Sequence, residues 1–247
     1  MNHKVKNRFL SKKLEKMKRI LLAFIYIGFL IYIFFKNTKI GGNLFCKADY
    51  LVNMMAPLNY FVVIVVPLVL HAFATFRTDF ILSGILRYDS WKEILKKQEY
   101  EVLVLSICYA LFLVVWNWII FEKIPIYNWN QIESYFYYKT DSVLKLHYSE
   151  VFIAILIMSV IRNFVIQNIV LIVWWQQKSP FIGILLAYGI VICEIAKGKF
   201  MVLCNLITPT YYIWQFQDLR VKMVIGVSIY LILFCIGYSF ILKKKEV

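Results

Sequence analysis

Long apolar runs separated by short polar segments constrain this chain more than any other feature. A helix of about 20 apolar residues crosses the hydrocarbon of a bilayer, and a soluble domain cannot bury many such runs. With 62% hydrophobic residues, the chain is predicted to be an all-α, polytopic membrane protein with six transmembrane helices. The predicted spans cover about residues 20–35, 56–76, 102–121, 151–175, 181–196 and 223–242.

Basic residues outnumber acidic ones 28 to 14, an excess that suits either nucleic acid or an anionic membrane surface. The Lys and Arg residues lie beside the apolar runs, which favours the lipid bilayer and argues against nucleic acid as a partner. More Lys and Arg residues lie in the segments on the side of the membrane that would hold both termini. The positive-inside rule therefore predicts a multi-pass cell-membrane protein with both termini in the cytoplasm.

Residues 1–19 are predicted to form a basic amphipathic helix at the membrane interface. Leu10, Leu14, Met17 and Leu21 recur at spacings of four, three and four, which places them on one face. This helix either anchors the chain on anionic headgroups or forms an interfacial elbow that also touches a cytoplasmic partner. The rest of the chain, residues 20–247, is predicted to be a single transmembrane domain.

Enzymatic signatures are missing from the sequence. It contains no P-loop, no zinc-protease motif and no serine-hydrolase elbow. Its five cysteines and three histidines are scattered, so neither a disulfide framework nor a metal site is predicted. An intramembrane enzyme would also need clustered ionisable groups on its spans. We therefore assign no catalytic residue, metal ligand or cofactor to this chain and expect that it is not an enzyme.

A polar segment between the second and third spans, about residues 87–98, is predicted to be a short separate helix. Ser90 and Glu93 have the spacing of a capping box. Trp91, Ile94 and Leu95 fall on one side at helical spacing, and lysines occupy the rest of the circumference. Such an apolar stripe either lies at the headgroup level or fits into a groove on another protein.

Two charged residues fall inside the predicted spans, Arg162 in the fourth and Glu194 in the fifth. A short turn links these helices, so they are antiparallel neighbours and the two residues lie at a similar depth. They are expected either to form a pair that pins the helices or to line a substrate path. Asn163 and Gln167, four residues apart, are expected to form interhelical hydrogen bonds rather than to bind a ligand.

Two patterns predict local backbone geometry within the spans. Pro67 removes one backbone hydrogen bond, so a kink is expected near Val63. Gly183 and Ala187 form a small-xxx-small pair, which permits close helix packing.

Three segments are expected to lie outside the membrane. Residues 36–53 are predicted to be an external loop. Residues 122–150 are rich in Tyr and Trp, which suits a loop that lies against the outer headgroups. Residues 197–222 are predicted to form a broken, partly re-entrant element before the last span.

This layout resembles the permease subunits of type-2 ATP-binding-cassette (ABC) transporters. The resemblance consists of a basic amphipathic N-terminus, a cytoplasmic helix between spans two and three, and a broken element before the last span. The segment at the second position is also similar to an Arg-Tyr-x-Ser-x-x-x-Trp type of segment in small Gram-positive members, although Trp91 comes sooner after Ser90 and Asp89 stands where a basic residue is common. The residues of this segment are Arg87, Tyr88, Asp89, Ser90, Trp91, Lys92, Glu93, Ile94, Leu95, Lys96 and Lys97.

The resemblance implies that this segment docks as a coupling helix into a groove of a separate cytoplasmic ATPase. Trp91 would be the buried anchor, Asp89 and Glu93 would cap and pair, and Arg87 would contact acidic residues at the rim. ATP and Mg²⁺ would bind in the partner ATPase, and a second permease subunit, identical or not, would complete the transporter.

The function implied is export of an amphipathic peptide or a lipid-linked substrate, as in antibiotic export or immunity. The Lys-, Ile- and Asn-rich composition fits an AT-rich bacterium. The alternative is a non-transporting membrane protein, an immunity or scaffold subunit that binds a peptide or lipid.

Overall fold

The computed structural model describes residues 2–36, 45–79, 90–177, 179–197, 207–208 and 210–245. Over these residues the protein is all-helical, which confirms the predicted fold class at this level. The elements are α1 (Asn2–Lys36), α2 (Lys47–Met54), α3 (Pro57–Tyr60), a π-helical turn (Phe61–Val65), α4 (Val66–Asp79), α5 (Trp91–Ile120), α6 (Tyr135–Thr140), α7 (Tyr148–Gln177), α8 (Pro180–Lys197), α9 (Tyr211–Gln215) and α10 (Gln217–Lys245).

Four of the described helical segments are long and apolar enough to cross a membrane. They include the spans predicted at about 56–76, 102–121, 151–175 and 223–242, and their bounds are Pro57–Arg77, Trp91–Ile120, Tyr148–Gln177 and Gln217–Lys243. The fifth predicted span corresponds to a shorter apolar helix, Phe181–Ala196. The first predicted span forms the second half of α1. The described helices are therefore compatible with a membrane location, and four of them have the length to span it.

Two breaks expected from the sequence do not occur. The basic segment 1–19 and the first apolar run form one continuous helix over the described part, α1, so no elbow separates them. The polar segment from Trp91 onward and the third apolar run are likewise one helix, α5. The physical reason is that α1 contains no proline and α5 contains neither proline nor glycine, so a change from charged to apolar side chains does not end either helix.

The predicted external segments contain more structure than expected. Residues 36–53 contain all but the last residue of α2, and seven of the eight residues of this helix are buried. Residues 122–150 contain the short helix α6, which packs against α9. In the predicted broken element, α10 already begins at Gln217, six residues before the predicted last span. The apolar residues 200–206 of that element lie outside the described residues.

The second span contains an irregular turn next to Pro67, at the position where a kink was predicted. Residues Phe61–Val65 form a π-helical turn, and the N–H of Val66 donates to the carbonyl of Phe61. Two tyrosine hydroxyls from neighbouring helices donate to backbone carbonyls beside it, Tyr109 to Pro67 at 3.2 Å and Tyr188 to Val66 at 3.1 Å. Irregular backbone at membrane depth is tolerated where protein groups cover it in this way.

Helix α7 is the centre of the bundle. It packs against α2, α4, α5, α8 and α10. By contrast α10 lies at the edge, with most of its large apolar side chains exposed. Its contacts with α7 include a hydrogen bond from the Tyr238 hydroxyl to the Asn168 side-chain oxygen and the approach of Gly237 to Ile172.

The close packing predicted for Gly183 is confirmed. A Cβ atom added at Gly183 would lie 2.8 Å from the carbonyl oxygen of Val170 on α7, and Ala187, one turn further along α8, is fully buried. The backbones of α7 and α8 therefore meet at a point where only glycine fits.

We predict that Gly183→Ala destabilises the protein by about 1–3 kcal/mol, because the methyl group must push two backbones apart. Gly189→Ala on the same helix is the matched control, since no described atom lies within 4 Å of its added Cβ and alanine favours the helix. Thermal unfolding of the purified protein in detergent, followed by circular dichroism, measures both. An equal effect of the two substitutions would contradict the close contact.

Candidate functional site

A group of buried polar side chains lies in the middle of α7, and we call it the polar cluster: Tyr60, Ser106, Ser159, Arg162, Asn163 and Gln167, all buried. Ser159, Arg162 and Asn163 share one face of α7, because they are three and four residues apart. On this face the Tyr60 hydroxyl of α3 donates to the Asn163 side-chain oxygen and lies 3.5 Å from the Ser159 hydroxyl.

Asn163 and Gln167 also tie α7 to α5. The Gln167 amide donates to the Ser106 hydroxyl at 2.9 Å, and the Asn163 amide donates to the Ser106 carbonyl at 3.2 Å. The Ser106 hydroxyl in turn donates to the Val102 carbonyl at 2.7 Å. The interhelical hydrogen bonds expected for Asn163 and Gln167 are therefore present.

Arg162 is fully buried, and its contacts lie on the turn between α2 and α3. Its Nη1 donates to the Met55 carbonyl at 2.8 Å, and its guanidinium carbon lies 3.7 Å from the centre of the Tyr60 ring. Met55 follows the last residue of α2, so the cation sits at the negative end of that helix, where positive charge is stabilising. A cation–π contact of this kind adds to the attraction.

Arg162 does not form the ion pair with Glu194 that the sequence left open. Its guanidinium is turned to Met55 and Tyr60, and its Nε and Nη2 have no hydrogen-bond partner among the described residues. Glu194 on α8 is also fully buried. Counting along the antiparallel helices from the Gly183–Val170 contact places Glu194 at the level of Ser159, one helical turn from Arg162.

The beginning of α5 carries part of the predicted coupling segment. The Ser90 hydroxyl accepts a hydrogen bond from the Glu93 N–H at 3.3 Å, so the predicted N-cap is present. Arg87, Tyr88 and Asp89 lie outside the described residues. Lys92, Glu93 and Lys96 are exposed on the outer side of the first turns.

Two of the three residues of the apolar stripe are buried within the chain, which the sequence did not predict. Ile94 and Leu95 are 2% and 4% exposed and belong to a core cluster that includes Phe76, Trp174 and Trp175. The half-buried Trp91 ring stands at 82° to the Trp175 ring, 5.8 Å between centres, so its visible contact is with α7 of the same chain. The reason is that both tryptophans near the end of α7 need apolar cover, which the first turns of α5 provide.

A second buried site, which the sequence analysis missed, lies around Asp49 on α2. One carboxylate oxygen of Asp49 accepts from the Cys46 N–H and the other from the Trp129 indole N–H, both at 2.8 Å. The Trp129 ring stacks on Phe136, 4.8 Å between centres, and contacts Tyr211. Asp49 therefore joins α2, the loop 122–150, and α9. The available signal was an acidic residue three positions after Cys46, a spacing that suits the first turn of a helix.

Burial changes the acidity of this site. Desolvation raises the pKa of Asp49 above its ordinary value, although the Cys46 and Trp129 hydrogen bonds act in the opposite direction. Desolvation and the neighbouring Asp49 charge also raise the pKa values of the Cys46 thiol and the Tyr211 hydroxyl. The thiol and the phenol are therefore neutral at physiological pH.

We predict that Ser106→Ala destabilises the protein by about 1 kcal/mol, because the Gln167 amide loses the nearer of its two acceptors on α5 and keeps only the Val102 carbonyl at 3.4 Å. The matched control is Ser228→Ala, since the exposed Ser228 hydroxyl donates to a carbonyl of its own helix. Denaturant titration of the reconstituted protein compares the two. Equal changes in stability from the two substitutions would contradict a stabilising role of the polar cluster.

We predict that the buried Asp49 carboxyl makes the protein most stable in acid. The raised pKa means that the folded state holds the Asp49 proton more tightly than the unfolded chain, so stability is greatest below the ordinary value of 3.8 and falls as pH rises towards the raised value. Asp49→Asn should remove this dependence, whereas Asp218→Asn at an exposed carboxylate should keep it. Unfolding midpoints measured from about pH 4 to pH 8 test this, and a wild-type midpoint that rises over this range would contradict it.

No relative of known function guides the interpretation of these buried sites. No protein family, curated protein or solved structure matches the chain.

Proposed function

We propose that this chain is the transmembrane permease subunit of a type-2 ABC transporter in a bacterial cell membrane, with six spans and both termini in the cytoplasm. It exports an amphipathic peptide or a lipid-linked substrate. A separate cytoplasmic ATPase binds ATP and Mg²⁺ and supplies the energy, and a second permease subunit completes the assembly. In this proposal the chain has no catalytic residue of its own.

The observation that carries the proposal is the continuity of α5. This helix runs without proline or glycine from the capped polar end at Ser90 to Ile120. Its first turns pack tightly on Trp174 and Trp175 at one end of α7. A displacement of the polar end is therefore transmitted to α5 and α7 together, with no hinge between the end of the helix and the span.

The buried stripe changes how docking would work. Because Ile94 and Leu95 already pack inside the chain, a partner would bind the exposed polar side of the segment, which carries Lys92, Glu93 and Lys96. Trp91 then supports the segment from within instead of serving as the buried anchor in the partner's groove. Electrostatic contacts at such a surface set partner choice and association rate.

In this proposal the π-helical turn is the flexible point for the transport movement. The π-helical turn Phe61–Val65 lies in the helix that precedes the coupling segment, and turns of this kind are frequent at functional sites. Next to it, Arg162 and Glu194 are the residues proposed to line the substrate path. Asn163 and Gln167 hold α5 against α7, so they position this path.

The second candidate is a non-transporting immunity or scaffold protein that binds a peptide or a lipid. The buried site around Asp49 favours it, because its hydrogen bonds and stacked rings tie α2, the loop 122–150 and α9 together, as a fixed scaffold requires. ATP-dependent activity with a partner ATPase decides between the two candidates.

We predict that Lys92→Glu with Lys96→Glu lowers recovery of the ATPase encoded beside this chain by about tenfold or more, because like charges then oppose each other at the contact. The charge-matched control is Lys123→Glu with Lys145→Glu, which changes two exposed lysines of the loop 122–150. Co-purification from detergent-solubilised membranes and ATP hydrolysis of the product measure the effect. If the ATPase is recovered equally with both variants, the coupling role of this segment is wrong.

A further inference from the structure

The guanidinium of Arg162 presents an unused pair of donors inside the bundle. Nη1 is occupied by the Met55 carbonyl, and the face of the group lies against the Tyr60 ring. Nε and Nη2 are buried and have no hydrogen-bond partner among the described residues. These two N–H groups form one edge of the planar fork, which matches the two oxygens of a carboxylate or phosphate.

Among the described residues, no carboxylate accepts a hydrogen bond from Arg162. The side chain is fully buried in a helix that is long and apolar enough to span a membrane. The carbonyl of Met55 and the ring of Tyr60 offer partial negative charge only. Glu194 lies about one helical turn away along the bundle, and no hydrogen bond joins its carboxylate to the guanidinium. A buried arginine in this position gains most from an anionic group that binds the open edge directly.

We propose that the Nε–Nη2 edge of Arg162 is a binding site for one planar oxyanion of the carboxylate type. A bound carboxylate receives two parallel N–H···O bonds and neutralises the buried charge. A water molecule could accept the same two bonds, but it would leave the charge in place. The site therefore has the donor geometry and the charge of an oxyanion site, and Met55 and Tyr60 fix its orientation.

This inference extends the proposed function without depending on it. Binding of an oxyanion at Arg162 can be measured whether or not the chain transports anything. If the transport proposal holds, the bound group is a carboxylate of the carried amphiphile; only this last step rests on the proposed function. If the ATPase is not recovered with the chain but the anion still binds, the transporter proposal is wrong and the anion-site proposal stands.

The test uses the full chain purified in detergent and its thermal unfolding, followed by the fluorescence of its seven tryptophans. Sodium acetate replaces sodium chloride at constant ionic strength and pH. We expect the midpoint to rise saturably, by about 4 °C at a tenfold excess of acetate over its dissociation constant. Arg162→Lys keeps the charge but loses the fork, so its midpoint should not respond. Arg220→Gln removes an exposed arginine and should respond as the wild type does.

An equal response of Arg162→Lys and the wild type would overturn the proposal. If Arg162→Lys does not fold, the unfolding midpoint of the wild-type protein in a series of anions provides the test. Formate and acetate should stabilise it, whereas bromide should behave like chloride, since a single atom cannot use both donors in the same way. Equal effects of all anions would indicate screening, and no effect of any anion would indicate that water occupies the edge; either result refutes the proposal.

Discussion

The need to satisfy every backbone polar group inside the protein is the constraint on which this structure depends. In hydrocarbon an open N–H or carbonyl has no water to bind, so each departure from a regular helix requires a side chain that supplies the missing bond. The protein meets this need at the α2–α3 turn, where Arg162 donates to the Met55 carbonyl; Tyr109 and Tyr188 donate to carbonyls that follow the π-helical turn. The irregular region of the second span and the polar residues of its neighbours are thus one physical unit.

The sequence predicted the parts of the fold that depend on local composition. The apolar runs within α5, α7 and α10, the irregularity next to Pro67 and the close approach at Gly183 follow from side-chain size, backbone chemistry or hydropathy over a few turns. The interhelical role of Asn163 and Gln167 also follows, because an amide within an apolar helix needs a partner. These features are visible without knowing the tertiary structure.

The remaining features depend on partners that are distant in sequence. Helix α2 is only eight residues long and is held by contacts of Asp49 with Trp129, eighty positions away. The partner of Arg162 is a backbone carbonyl, which has no signature in the sequence, so the charged residue Glu194 was the more visible candidate. Ile94 and Leu95 were expected to face a membrane or a partner, because the tryptophans that cover them follow about eighty residues later in the sequence.

The peripheral position of α10 has a consequence for how the protein is made. Helix α10 follows α2, α4, α5, α7 and α8 in the sequence, so these helices are synthesised before it. Because α10 contributes few residues to the core and contacts α7 mainly along one edge, the earlier helices can assemble before it arrives.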